Sequence, residues 1–340
     1  MARVTKYNKL TSPELLAQTN PENLQLMEEF LAYLRSMKHS KGTITGYRSD
    51  LRIFFVYVMQ HCQNKHFTKL TKRELIGFQN WLLNDNENSP ARIRRIKSAI
   101  SSLGNYIEDI LDDEYEGYRS PIKKIKSPSI RAVRAKTVWE DQEIEDLLQN
   151  LSDMRQHEKA CVLALAVYSG RRKSELLRFK VNYFDEKNVV YGSLYRTPEP
   201  IQTKGTGGGK MLVCYTLRNK FKPYLDAWME ERRERGIDSE WLFPSTKDPS
   251  LPLAVTTLDR WAKQFSEMTN KPFYFHSLRH KFVTELSRSG LPDSVITKIV
   301  GWEDPSMCQV YNDREIDEEL GQYFDEHGIK KLAPVDLSSL

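Results

Sequence analysis

YFHSLRHKFVTEL, residues 274–286, places His276, Arg279 and His280 at i, i+3 and i+4, so a helix would project two imidazoles and a guanidinium from one face. The spacing does not make a zinc site. HxxRH is not the HExxH pair, no glutamate stands at the general-base position, and no third ligand lies nearby. A histidine satisfied inside a helical core accounts for His280, whereas a buried Arg279 needs an anion.

An anion that takes more than one guanidinium is a phosphate, and a second donor group lies in YSGRRKSELLRF, residues 168–179. There Gly170 is followed by Arg171, Arg172 and Lys173, and Glu175 can orient one guanidinium through a charge-assisted bond. Two arginines converging on a phosphodiester would neutralise its nonbridging oxygens and the added charge of a pentacoordinate transition state. A solvated, basic helix start is the plainer reading of the same residues.

The glycine turn QTKGTGGGKM, residues 202–211, meets neither nucleotide-binding fingerprint: no Gly-x-x-x-x-Gly-Lys-Ser/Thr aligns, and Lys210 stands where Gly-x-Gly-x-x-Gly requires its third glycine. What remains is a hairpin tip with Lys204 on its entry side and Lys210 on its exit side. Such a lysine is ordinarily a solvated charge, but it has the reach to donate a proton to a leaving oxygen.

The rest of the chain sets limits on what this chemistry serves. Its 340 residues favour about two domains, and 39% hydrophobic with 29% charged residues is an ordinary soluble composition. No apolar run approaches the roughly 20 residues of a membrane span, and MARVTKYNKLTSPELLAQ lacks the apolar centre of a signal peptide, so a cytoplasmic protein is expected. Cys62, Cys161, Cys214 and Cys308 lie far apart without CxxC spacing, which suggests neither a zinc ribbon nor a disulfide framework.

The net charge of +5 is unevenly spread. Helical periodicity recurs over residues 22–38, 41–61, 71–85 and 89–111, the last opening on Ser89 as cap and Pro90 at the first helical position. These four helices make a compact domain whose basic residues gather at particular ends: Lys38, Lys41 and Arg48 near one, Arg92, Arg94, Arg95 and Lys97 near another. Residues 119–136, RSPIKKIKSPSIRAVRAK, hold seven Lys or Arg, including Lys123, Lys124, Lys126, Arg131 and Arg134, and no acid. With Pro121 and Pro128 disfavouring a helix, this reads as an extended basic linker of the kind a protein encircling a polyanion needs. Beyond it, VWEDQEIEDLLQNL and EKACVLALAVYSGRRKSELLRF read as helices, the second too apolar for a surface. NVVYGSLY, EPIQTK and KMLVCYTL read as three short strands, and helices return from residue 218.

Taken in order, Gly170-Arg-Arg-Lys-Ser-Glu-Leu176, a hairpin lysine, His276-x-x-Arg-His280, Gly301-Trp302 and Tyr311 resemble the tyrosine recombinase family, also called phage-type integrases, over essentially the whole chain. Each motif alone is weak; five in order at matching spacing are specific. The resemblance implies a mainly α protein with a four-helix core-binding domain and a mixed α/β catalytic domain containing a small antiparallel sheet. The expected boundaries are an extension over 1–20, the helical domain over 21–115, the linker over 116–137, the catalytic domain over 138–325 and a tail over 326–340. In relatives a terminal segment docks on a neighbouring subunit, and the acidic, partly amphipathic EIDEELGQYFDEHGIKKL is the candidate here.

The family pattern Gly-x-Arg-x-x-Glu-Leu selects Arg172 over Arg171, and its hairpin lysine matches Lys204 better than Lys210. It also selects His276 and Arg279, places Trp302 where most members have a histidine, and makes Tyr311 the nucleophile, although one tyrosine among sixteen would otherwise read as a core ring. Glu175 and His280 are expected to support this set. The resemblance implies that duplex DNA with specific sites is the partner, that four subunits assemble on two paired sites, and that neither metal nor other cofactor is needed. A type IB topoisomerase-like relaxase and an inactive DNA-binding factor are the rival readings.

Overall fold

The computed structural model describes residues 10–129, 137–203, 210–302, 304 and 306–308, and the backbone of Phe324–Asp325 and Gly328–Ile329. Lys204, Tyr311, Arg131 and Arg134 lie outside the described residues, as does most of the tail expected over 326–340. The chain divides into two compact units, one holding the described residues up to 129 and the other those from 137.

In the first unit a short helix, α1 (Pro13–Ala17), precedes α2 (Pro21–Ser36), α3 (Lys41–His61), α4 (Lys72–Asn80) and α5 (Pro90–Ile110). Their starts follow local chemistry. Ser40 Oγ caps α3 by accepting from Thr43 N, Thr71 and Glu74 form a reciprocal capping box on α4, and Ser89 caps α5 ahead of Pro90. One stripe of α5 (Ile93, Ile96, Ile100, Leu103, Ile107) is fully buried against Phe54 and Phe55 of α3 and Phe78 of α4. α4 runs on as a π-helical turn, Trp81–Asp85, which seats Leu82 in the core.

The basic stretch after α5 begins as a 3₁₀ turn, Pro121–Lys124, with Ile122 in the core. Lys97 Nζ donates to Gln79 Oε1 (3.0 Å) and Ile125 O (2.8 Å), Lys123 pairs with Glu108 (2.6 Å), and Arg94 donates to Pro128 O (3.2 Å). The described start of the stretch is therefore tied to α4 and α5 through its backbone and Lys123, while Lys124 and Lys126 stay exposed.

The second unit is built round α7 (His157–Ser169), buried throughout Ala160–Val167 and packed against α6 (Asp141–Asp153), α9 (Arg218–Glu234) and α11 (Phe275–Arg288). Each of its fully buried leucines contributes about 2 kcal/mol of burial free energy. The continuous helix expected through SGRRKSELL is interrupted. Gly170 adopts a left-handed conformation (φ 59°) and the chain restarts as α8 (Lys173–Leu176).

NVVYGSLY forms a hairpin, not one strand: β1 (Val189–Val190) and β2 (Leu194–Arg196) pair antiparallel across Tyr191 (φ 54°) and Gly192 (φ 70°). β2 pairs with β5 (Tyr215–Leu217), while β3 (Ile201–Gln202) and β4 (Met211–Leu212) form a second hairpin that carries the glycine turn. The unit continues through α10 (Val255–Thr269), α11 and α12 (Asp293–Val300), and two further strands, β6 (Phe324–Asp325) and β7 (Gly328–Ile329), pair near the end. No helix among the described residues is long and apolar enough to cross a membrane, and all four cysteines are buried thiols.

A Cβ on Gly170 would stand 2.3 Å from the Phe282 ring, in addition to the strain of a positive φ. Gly170→Ala should therefore destabilise the second unit by roughly 2 kcal/mol or more, seen as a lower urea midpoint by circular dichroism.

Candidate active site

The site is assembled from helix ends. α7 terminates at Gly170 and α12 terminates at Val300 ahead of Gly301, which is also left-handed (φ 77°). Arg279, on α11 and wholly enclosed, donates from NH1 to Gly170 O (2.9 Å) and from NH2 to Val300 O (3.0 Å), and its guanidinium lies 5.2 Å from the Trp302 ring centroid. The anion expected for a buried Arg279 is thus replaced by the carbonyl ends of two helices, which carry partial negative charge, and by an aromatic face.

The neighbouring arginines have opposite fates. Arg171 turns inward, 1% exposed, and donates to Ser169 O, Ile299 O and Cys214 Sγ. Arg172 caps the start of α8 and remains partly exposed. The buried carboxylate of Glu175 accepts both from the Arg172 backbone N–H (3.0 Å) and from its NH1 (2.9 Å), fixing the side chain where it leaves the core. Arg171, which the family pattern passes over, is a second tie between α7 and the end of α12; in the fold it is distinguished from Arg172 by its burial among backbone carbonyls and the Cys214 thiol.

His276 stands in the first turn of α11, two residues after the cap Tyr274. Its ring is reached by solvent, yet enough protein surrounds it to disfavour the charged form: burial first, then the charges of Arg279 and Arg172, hold its pKa below the ordinary histidine value. This links His276 electrostatically to both arginines. His280 presents its ring edge-on to His276 at 5.4 Å.

Trp302 follows Gly301, where a Cβ would come within 2.3 Å of Leu212 Cδ2, so the base of the β3–β4 hairpin sits directly against the Trp302 turn. Lys210 is exposed, and its carbonyl closes the hairpin by accepting from Thr203 N and Thr203 Oγ1. Arg172, Glu175, His276, Arg279, His280 and Trp302 are thereby brought together; Lys204 and Tyr311 lie outside the described residues.

The first unit offers a separate basic surface. Lys41, Gly42, Thr45, Gly46 and Ser49 of α3 line a concavity with Arg92 and Arg95 of α5, and the buried carboxylate of Asp50 pairs with both arginines (2.6 and 3.3 Å). Arg48 is held by Glu28 through two bonds (2.9 and 2.6 Å). Lys97 is turned inward, whereas Lys124 and Lys126 are exposed.

Because the positive charge of Arg172 holds down the His276 pKa, Arg172→Gln should raise it, and NMR titration of the His276 ring protons measures the shift. An unchanged or lower value would contradict the arrangement.

Comparison with known proteins gives the family. The phage integrase family profile matches residues 138–317 and the phage integrase N-terminal SAM-like domain matches residues 26–116. The chain is 27% identical to the SPbeta prophage-derived recombinase-like protein YomM of Bacillus subtilis, covering 95% of this chain and 96% of the relative. It is 25% identical to a tyrosine recombinase of Thermosipho africanus, covering 85% and 93%. Among solved structures, a lambda integrase tetramer bound to a Holliday junction superposes with a TM-score of 0.62 at 16% identity, covering 86% of this chain and 78% of the other. With the family's profile spanning more than half of its length, the chain belongs to the phage integrase family of tyrosine recombinases, enzymes that cut and rejoin DNA.

Proposed function

We propose that the protein is a site-specific recombinase that cuts and rejoins duplex DNA through a 3′-phosphotyrosyl intermediate formed on Tyr311. The observation that carries this reading is the meeting of Arg172, His276, Arg279 and Trp302, from three separate stretches of sequence, around the two helix ends that Arg279 joins.

In this reading Tyr311 attacks a DNA phosphate, its phenolic oxygen forms the P–O bond, and the 5′ oxygen leaves as a free hydroxyl. The energy of the broken linkage is kept in the new ester, so no metal or nucleotide cofactor is required. A phenol with a reference pKa near 10 is a poor nucleophile at neutral pH. His276, its pKa lowered by burial and by the charges of Arg279 and Arg172, is available to accept that proton. Arg172 binds the phosphate with a guanidinium already aimed by Glu175, and Arg279 adds charge from beneath through a low-dielectric interior. Direct contact with Arg279 requires the carbonyl ends of α7 and α12 to shift around it. Trp302 donates a hydrogen bond that does not titrate, His280 supports the imidazole, and Lys204 protonates the departing 5′ oxygen.

Rejoining follows when the 5′-hydroxyl of a second duplex attacks the phosphotyrosine, which calls for two paired sites and a homotetramer. The lambda integrase tetramer on a Holliday junction supports that assembly by likeness of fold. Lys41, Arg48, Arg92, Arg94, Arg95 and Lys97 of the helical domain, with Lys123, Lys124, Lys126, Arg131 and Arg134 of the linker, supply the DNA-facing charge, either directly or, as with Lys97, by fixing the surface. The domains are taken as 21–115 and 138–325, with the start of the linker packed onto the first through Ile122, and a cytoplasmic, nucleoid-associated location fits the substrate.

Tyr311→Phe should bind duplex DNA as the wild type does while forming no covalent adduct on nicked duplexes; adducts persisting in that variant would remove Tyr311 as nucleophile. Relaxation of a supercoiled plasmid without paired sites would point to the topoisomerase-like activity instead. Lys204→Ala should slow cleavage by roughly 10²–10⁴-fold with binding intact, the range of a lost general acid. An equal loss in Lys210→Ala alone would move the role to that residue.

A further inference from the structure

Residues 137–141, the first described residues of the second unit, run along α11. Asp141 pairs with Lys281 at mid-helix, and Trp139 reaches the first turn, where its indole N–H donates to Ser277 Oγ (3.0 Å). Ser277 in turn donates its hydroxyl to Tyr274 O (2.6 Å), the same carbonyl that accepts from its backbone N–H (2.9 Å). A serine hydroxyl has one proton. With that proton committed to Tyr274, the oxygen is left facing the indole, and the turn carrying His276 between Tyr274 and Ser277 is closed from both sides.

Trp139 is itself held firmly. It is 2% exposed, tilts on Phe273 at 5.5 Å and lies under the Lys271 ammonium, 4.7 Å from the ring centroid. Lys271 is fixed by both oxygens of Glu143 (2.7 and 2.6 Å). A buried indole N–H needs an acceptor, and the one it takes is the hydroxyl of a serine on the active-site turn, so the bond that satisfies Trp139 also ties that turn to the entering segment.

We propose that Trp139 and Ser277 are a positioning pair for His276, through which the segment entering the unit from the basic linker sets the aim of the imidazole. The proposal rests on His276 acting on the Tyr311 proton. Neither residue touches DNA or the reacting atoms; the pair acts through the turn. If the turn loosens, the ring moves relative to Arg172 and Arg279, and both proton transfer and its pH dependence change together.

Nicked duplexes that the wild-type protein recovers as covalent adducts from a pool with a randomised core serve as the probe. Adduct formation is followed in single turnovers across pH, with duplex affinity measured in parallel. Trp139→Phe keeps an aromatic ring beside Phe273 and removes the N–H together with the five-membered part of the indole, so Ser277→Ala, which leaves Trp139 whole, is the cleaner loss of the same bond. Each variant should slow adduct formation roughly tenfold and move the acidic limb of the pH profile upward, with affinity unchanged. The double variant should be no slower than either single, and Ser277→Thr should recover most of the rate. Wild-type rates in both single variants, losses that multiply in the double variant, or an unmoved acidic limb would overturn the pair's role. A His276→Ala variant separates the two layers. If it is slow while the pair variants are not, only the pair's role falls; if it reacts at the wild-type rate, the reading of His276 falls and the pair's role with it.

Discussion

Arg279 is the interaction on which the second unit's functional end depends. Enclosing a guanidinium costs several kcal/mol unless its charge and donors are met. Here NH1 and NH2 are met by Gly170 O and Val300 O, the dipole ends of α7 and α12, and the charge also by the Trp302 face. Those carbonyls would themselves be orphaned without a donor. The benefit is mutual, and the consequence is geometric: α7, α11 and α12 can meet at only one spacing. Gly170 and Gly301 serve the same constraint, since each lets its helix end in a left-handed turn that points a carbonyl at the guanidinium and leaves no Cβ to collide with Phe282 or Leu212.

Once that junction exists, the electrostatics of the site follow from it. The left-handed turn at Gly170 sends two adjacent arginines in opposite directions, one into a bed of carbonyls and a thiol, the other out to the surface under the control of Glu175. A buried carboxylate that holds a guanidinium through both its backbone and its side chain reduces the rotamer freedom lost when an anion binds. The same junction brings positive charge to the His276 ring, and a neutral imidazole is the form that can take a proton from a phenol.

Much of this was legible in the sequence because it is locally encoded. The helices of the first unit are announced by 3.6-residue periodicity and, for α5, by Ser89 and Pro90, and the His276, Arg279 and His280 spacing states which side chains share a face. The break at Gly170 was not legible from the apolar run, since helical propensity continues through RRKSELL and only the Phe282 ring and the carbonyl demand of Arg279 stop it. NVVYGSLY looked like one strand because Tyr-Gly is an uncommon pair for a turn with two positive φ values, a tyrosine being strained there. The packing of the linker's start was not legible either: Ile122, one apolar residue in a basic stretch, enters the core and draws the backbone around it onto α5.

The basic residues show why a count of positive charge overstates what a polyanion meets. Lys97 and Arg94 spend donors on carbonyls of their own chain, Lys123 on Glu108, Arg48 on Glu28, and Arg92 and Arg95 share Asp50. An arginine already paired with a carboxylate releases less counterion when it meets a phosphate than a solvated lysine does, because part of its charge was never screened by salt. Such a residue contributes less to affinity and its salt dependence, and more to direction, since the carboxylate has fixed where the guanidinium points before any partner arrives. Exposed Lys41, Lys124 and Lys126 are suited to the first task, and the Asp50 and Glu28 pairs to the second. That division repeats, in the helical unit, what Glu175 does for Arg172: a carboxylate, buried at Asp50 and Glu175 and partly exposed at Glu28, aims the arginine it pairs with.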